Sequence, residues 1–282
     1  MGGESSYPLL PSSQEYFVLV GQNASEIPYT ILPGHPILSL NLQNNLIRHL
    51  PTGLLQLKTL ILNDNSLQEI SPELTDSIKS YESLQTLELA QNQLSEFKIS
   101  IPSLKTLNLI QNRLILLPPL SENLENANFD SNFIKIFNKS SKTIKTLTSS
   151  LNYIEKIENT LKMEKLKKVD FSMNRISEIV NFSAIFPVIQ TANFSFNLLK
   201  QVPNSISTSI VDLELSGNRI KTFSEDIQNL TSLQKLDISF NKLSEIPKLP
   251  KSLKKLYANN NSIQKVEDSD LPLLESFTFS VN

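Results

Sequence analysis

The chain has 282 residues, and its 26 Lys and Arg against 28 Asp and Glu leave a formal net charge of −2. That balance supplies no basic stripe for a nucleic-acid backbone. With no Cys at all, the sequence has no disulfide framework, no zinc–thiolate site and no thiol nucleophile. From the N-terminus, Met1-Gly2-Gly3-Glu4-Ser5-Ser6 has neither the basic start nor the apolar run of a secretory signal. Met1-Gly2 with Ser6 fits the N-myristoylation pattern, which predicts at most weak membrane attachment through Gly2, because no polybasic segment adjoins it. No stretch approaches the ~20 apolar residues of a membrane span. Tyr16 to Asn23 reads as a degenerate first coil within a tail of residues 1–36, with Val18 and Val20 inward and Asn23 closing its turn.

From residue 37 onward one pattern recurs, L-x-x-L-x-L-x-x-N-x-L. Leu57, Leu60, Leu62, Asn65 and Leu67 make one copy; Leu84, Leu87, Leu89, Asn92 and Leu94 the next. Leu233, Leu236, Ile238, Asn241 and Leu243 repeat it near the other end. Copies begin at 37, 57, 84, 104, 124, 144, 166, 189, 210, 233, 253 and 274, which predicts a solenoid of about 12 coils over residues 37–282. The L-x-L core has the period of a strand, so its apolar side chains share one face while their neighbours face out. Twelve such strands stack in parallel. The Asn of each copy can satisfy backbone groups of adjacent coils, which predicts a structural ladder of Asn45, Asn65, Asn92, Asn112, Asn132, Asn152, Asn174, Asn197, Asn218, Asn241 and Asn261. The twelfth copy reaches Asn282 and stops, with no polar cap after it, so it reads as truncated and the chain as a piece of a longer protein. A 20-residue coil returns through about nine residues, room for extended or 3₁₀ segments only. The 27-residue interval after residue 57 is the exception: it predicts a short helix starting near Ser71 or Pro72.

This register resembles the leucine-rich-repeat family. The segment from Ile246 to Leu253 is similar to the short repeats of bacterial effectors, and the 23-residue unit from Ile210 to Ser232 to intracellular eukaryotic repeats of the Ras-scaffold and adenylyl-cyclase type. The resemblance implies a β-rich α/β solenoid: a horseshoe with a parallel concave sheet and short 3₁₀ or extended convex segments. It also implies a protein-interaction scaffold with a protein partner on the concave face. An alternative is the targeting domain of a signalling enzyme encoded beyond residue 282: a phosphatase of the metal-dependent 2C class, a kinase, a cyclase or a ubiquitin ligase. Extracellular members usually carry disulfide caps, so the missing Cys predicts a cytoplasmic protein whose sequons, among them Asn193, go unused. A pathogen-recognition or adhesive surface protein fits less well for the same reason.

Candidate partner-binding residues lie in the outward rows. The central row runs Asn41, Ile61, Glu88, Asn108, Asn128, Thr148, Asp170, Asn193, Glu214, Asp237, Tyr257, Thr278, and its acids Asp170, Glu214 and Asp237 together with Tyr257 are candidates. The row preceding the ladder Asn holds Leu151, Met173, Phe196 and Phe240, interrupted by Gly217, and Tyr257 beside Phe240 predicts an aromatic corner. Large apolar side chains on a solvated face are what a protein-binding hot spot needs. Catalysis is not expected. The two histidines, His35 and His49, sit in the entry loop and on the first turn, and the central-row acids are spaced as a surface pattern rather than converging on one point. Cofactor and metal sites are not expected either.

Overall fold

A computed structural model describes residues 7–223, 225–267 and 270–279; Gly2 and Asn282 lie outside the described residues. The chain divides into two units, residues 1–129 and 130–282. Each is a parallel-sheet solenoid in which one repeat makes one coil.

In the first unit the strands are Tyr16–Val18, Ser39–Asn41, Thr59–Ile61, Thr86–Glu88, Thr106–Asn108 and Asn126–Asn128, paired in parallel in chain order. Each is three residues long because only the middle residue faces inward, and the register aligns Leu40, Leu60, Leu87, Leu107 and Ala127 in one buried column. In the second unit Thr146–Thr148, Lys168–Asp170, Thr191–Asn193, Asp212–Glu214, Lys235–Asp237, Lys255–Tyr257 and Ser276–Thr278 do the same, aligning Leu147, Val169, Ala192, Leu213, Leu236, Leu256 and Phe277. Where the column shrinks to Ala127 or Ala192, the next inward residue is Phe129 or Phe194, fully buried, so each coil keeps its volume. In the last described coil Phe277, at the register of Leu256, is 47% exposed against 2%.

The first strand corrects the sequence reading by one residue. Phe17, not Val18, pairs with Leu40 and is buried, while Val18 and Val20 are exposed. Gln22 rather than Asn23 takes the ladder position: its N–H donates to Asn45 Oδ1 at 3.1 Å, as the Asn65 N–H donates to Asn92 Oδ1 at 3.0 Å. A one-residue slip flips every side chain, and burying the larger Phe17 outweighs burying two valines.

The ladder asparagines are buried and spend both ends of the amide. Asn92 Nδ2 donates to the carbonyls of Leu62, Leu89 and Ala90, and its Oδ1 accepts from the Asn65 and Leu67 amides. Asn197 and Asn218 donate in the same way to the preceding coil and to their own.

The long interval forms the helix Pro72–Lys79. Ser71 caps it by accepting from the Leu74 amide at 3.2 Å, Pro72 opens the first turn, and Leu74, Ser77 and Ile78 face the core. Replacing Ser71 by Ala removes a cap worth about 1 kcal/mol, and hydrogen exchange is expected to quicken over this helix before anywhere else in the first unit. Behind it, buried Tyr81 donates its hydroxyl to Pro51 O at 2.5 Å, and burial pushes its phenol pKa up.

Returning segments in the second unit include the paired strands Ile136–Phe137 with Lys156–Ile157 and Glu245–Ile246 with Lys265–Val266. The others include a four-residue helix, Phe182–Ile185, and a 3₁₀ turn, Glu225–Asn229. Phe182 and Phe186 from one of them meet Phe194 at 6.1 and 6.4 Å between ring centroids, and Phe171 joins Phe194 at 5.8 Å.

Candidate functional site

The sheet register fixes which side chains share the outer face. In the second unit Thr148, Asp170, Asn193, Glu214, Asp237, Tyr257 and Thr278 form one row across neighbouring strands. Much of that row is engaged locally. Asp170 Oδ1 accepts the Ser172 amide at 2.9 Å, Asn193 Oδ1 that of Ser195 at 2.9 Å, and Asp237 Oδ1 that of Ser239 at 2.9 Å. The recurrence of Asn and Asp here thus has a backbone cause: a short side chain captures the amide two residues on, as in an Asx turn. Asp170 also accepts from Asn193 Nδ2 at 3.3 Å.

Glu214 is held by Lys235, whose Nζ lies 2.5 Å from Glu214 Oε1 and 3.4 Å from Asp212 Oδ2. Burial opposes the Lys235 charge, but its bond to Glu214 and the field of Asp212 outweigh that and hold its pKa above the ordinary lysine value. Partial burial, with the neighbouring charges of Glu214 and Asp237, pushes Asp212 up despite Lys235. Asp130 is likewise raised by burial, opposed by the Ser150 amide that it accepts at 2.6 Å.

The apolar row is of a different kind. Leu151, Met173, Phe196 and Phe240 are 48%, 50%, 57% and 57% exposed, and all four have left-handed backbone, with φ between 52° and 55°. The cause is a hydrogen bond that recurs from coil to coil. The amide of this residue turns out of the strand to donate to the next coil: Leu151 to Ser172 O at 3.1 Å, Met173 to Ser195 O at 2.9 Å, Phe196 to Ser216 O at 2.7 Å, Phe240 to Asn259 O at 2.8 Å. In the first unit the same position carries Gly21, Asn44, Asp64, Gln91 and Gln111, residues that are polar or have no side chain. Asn, Asp and Gly suit left-handed backbone; Leu, Met and Phe are strained there by roughly 1–2 kcal/mol each.

Gly217 does not break this row. A Cβ placed on it would lie 2.5 Å from Phe196 Cδ1, because the Phe196 ring leans across the gap. Gly217→Ala is therefore expected to displace that ring and to strain a backbone held at φ 67°; a loss of about 1–2 kcal/mol in urea unfolding would show it. No ring contact joins Phe240 to Tyr257 among the described residues, so the expected aromatic corner does not form.

A feature that sequence reasoning missed lies one residue past the ladder Asn. Phe133 stacks on Tyr153 at 5.8 Å, and the Arg175 guanidinium lies 4.5 Å over the Tyr153 ring. Aligning the residue after each ladder Asn would have put Phe133, Tyr153 and Arg175 in one column. Between the acids and the apolar row runs a line of serines, Ser150, Ser172, Ser195, Ser216 and Ser239, buried or half-buried. The second unit thus presents an acidic rank, a low serine floor, an apolar rank and then Arg175, Arg219 and Lys242.

One family model, described as leucine rich repeats (2 copies), matches residues 208–251. Together with coils that stack in parallel and share an Asn ladder, this decides the class. The described coils have the leucine-rich-repeat fold. Among curated relatives of this chain, rat (Rattus norvegicus) lumican is 30% identical over 109 residues, 38% of this chain and 32% of lumican. The immunoglobulin domain and leucine-rich repeat-containing protein 2 of Caenorhabditis elegans is 34% identical over 164 residues, 55% of this chain and 17% of that protein. The match thus spans about a third of lumican and a sixth of the worm protein. Among solved structures, one of the LRIM1/APL1C complex superposes with a TM-score of 0.76 at 21% identity, over 94% of this chain and 51% of that one. YopM, a leucine-rich effector of Yersinia pestis, superposes at 0.58 and 20% identity, over 93% of this chain and 82% of its own. These structural likenesses concern the fold. Among the described residues no group of His, Asp and Glu could hold a metal ion, and no helix is long and apolar enough to cross a membrane. His35 is buried with Nε2 3.1 Å from Pro11 O, and His49 is exposed on the first turn.

Proposed function

We infer that the protein is a protein-interaction module and that its second unit makes the contact, through Leu151, Met173, Phe196 and Phe240. One observation carries this. These side chains are half-exposed on left-handed backbone, at a position that carries Asn, Asp, Gln, Ser or Gly in the other coils, Ser131 and Asn260 of the second unit among them. Folding alone favours Asn at such a site, so the retained apolar side chains are explained by a partner that covers them. The LRIM1/APL1C structure is that of a complex between proteins, which supports this class of ligand. Asp170, Glu214, Asp237 and Tyr257 border the contact and set its orientation more than its affinity.

A cytoplasmic setting fits the absence of Cys.

The test is a triple variant, Met173→Asn, Phe196→Asn and Phe240→Asn. A binding row predicts a thermal midpoint unchanged or raised, together with loss of the protein partners captured by the wild-type chain. If the midpoint falls by many degrees while captured partners remain, the row packs the fold and is not the contact.

A further inference from the structure

Resting on that reading, we propose that the occupant of the second unit's apolar row is an amphipathic α-helix of the partner, lying across the strands, with basic residues along one flank and acidic residues along the other. The first argument is spacing. Leu151, Met173, Phe196, Gly217 and Phe240 occupy successive coils, and neighbouring strands lie about 4.8 Å apart. A helix lying along that line presents one apolar rank per turn, about 5.4 Å. From Leu151 to Phe240 is four steps, roughly 19 Å against roughly 22 Å for four helical turns. That mismatch is within the reach of flexible side chains such as Met173. An extended strand presents an inward side chain every ~6.8 Å and falls out of step by the second coil.

The second argument is relief. The ring of Phe196 closes the place of Gly217, so the apolar rank is continuous. Beside it the serines form a low floor, with Ser195 and Ser239 buried. The floor is bounded on its far side by Asp170, Glu214 and Asp237. A cylinder resting on the apolar rank has room to sink toward the serines.

The third argument is charge. The acids border one side of this channel, Glu214 there paired with Lys235; on the other side the residues after the ladder Asn are Tyr153, Arg175, Leu198, Arg219 and Lys242, three of them basic, with Arg175 3.8 Å from Glu155. A helix with opposite charges on its two flanks meets complementary charge on both sides. Turning it end for end swaps the flanks, so the two ranks fix the direction in which it runs.

The experiment uses three synthetic fluorescent peptides of about 15 residues, four helical turns, with the same leucine stripe. One has Lys on one flank and Glu on the other, one has Lys on both, and one has Glu on both. Anisotropy titrations with the full chain are expected to show the mixed peptide binding at least tenfold more tightly than either single-sign peptide. Phe196→Asn with Phe240→Asn should weaken it at least tenfold, and Glu214→Gln with Asp237→Asn by a smaller factor that shrinks with added salt. Equal binding of the three peptides, no binding, or binding that ignores Phe196 and Phe240 would overturn the helix. The failure is distinguishable from that of the contact surface itself, because loss of captured protein partners in the triple Asn variant would still stand.

Discussion

Replacing Asn92 by Ala is expected to destabilise the first unit by about 4 kcal/mol, far more than the removal of one polar surface side chain. The figure follows from what is left behind. The Asn65 and Leu67 amides lose their only acceptor, at 3.0 and 2.9 Å, in surroundings that exclude water. Each buried N–H stranded in this way costs about 1–3 kcal/mol. The carbonyls of Leu62, Leu89 and Ala90 lose a donor as well, a lesser penalty because they have a second lone pair. Urea unfolding followed by far-UV circular dichroism measures the loss, since the chain has no Trp to report it. Asn92→Asp separates donors from acceptor. It keeps an oxygen for the two amides but faces three carbonyls with a carboxyl that is costly to ionise. Its pKa in the folded chain is therefore raised above the unfolded value, so the variant is most stable at acid pH and loses stability as pH climbs through the carboxylate range. A flat pH profile for Asn92→Asp, or a loss below about 1 kcal/mol for Asn92→Ala, would contradict the ladder account.

The repeat register is legible from the sequence because it is a pattern of inward residues, and burial is what that pattern encodes. Leu40, Leu60, Leu87 and Leu107 fall in one column as the spacing requires, and Ser71-Pro72 opens the helix in the long interval. The alternation misplaces the first strand because Val18 and Val20 satisfy it as well as Phe17 and Leu19 do; only pairing with Leu40 decides between them. The outer face is legible as rows but not as roles. Nothing in the spacing reveals that Asp170 and Asp237 are half-spent on the amides of Ser172 and Ser239, or that Lys235 bridges two acids. The apolar row can be read off by position, yet its significance depends on a backbone sign. That Leu151, Met173, Phe196 and Phe240 sit at positive φ is set by hydrogen bonds to the following coil, and no single repeat contains both partners.

Phe194→Ala is expected to be the most damaging truncation in the second unit, at about 3–5 kcal/mol. Phe194 is fully buried and meets three rings: Phe171 at 5.8 Å, Phe182 at 6.1 Å and Phe186 at 6.4 Å. Phe171 in turn meets Phe137 at 5.0 Å, so the aromatic cluster ties sheet-side residues to returning segments over several coils. Its own coil already carries Ala192 at the central inward position, so no neighbour in that coil can swing in to fill the space. Phe194→Leu restores most of the volume without the edge-on ring contacts and should recover more than half the loss. Coils contact chiefly their neighbours, so hydrogen exchange should rise most in the coils flanking residues 189–210 and least at residues 253–267. Because Phe196 points outward while Phe194 points in, Phe196→Ala is the internal control. The two variants remove the same side chain two residues apart, and a destabilisation by Phe196→Ala equal to that by Phe194→Ala would mean that the outer ring is core, which its 57% exposure denies.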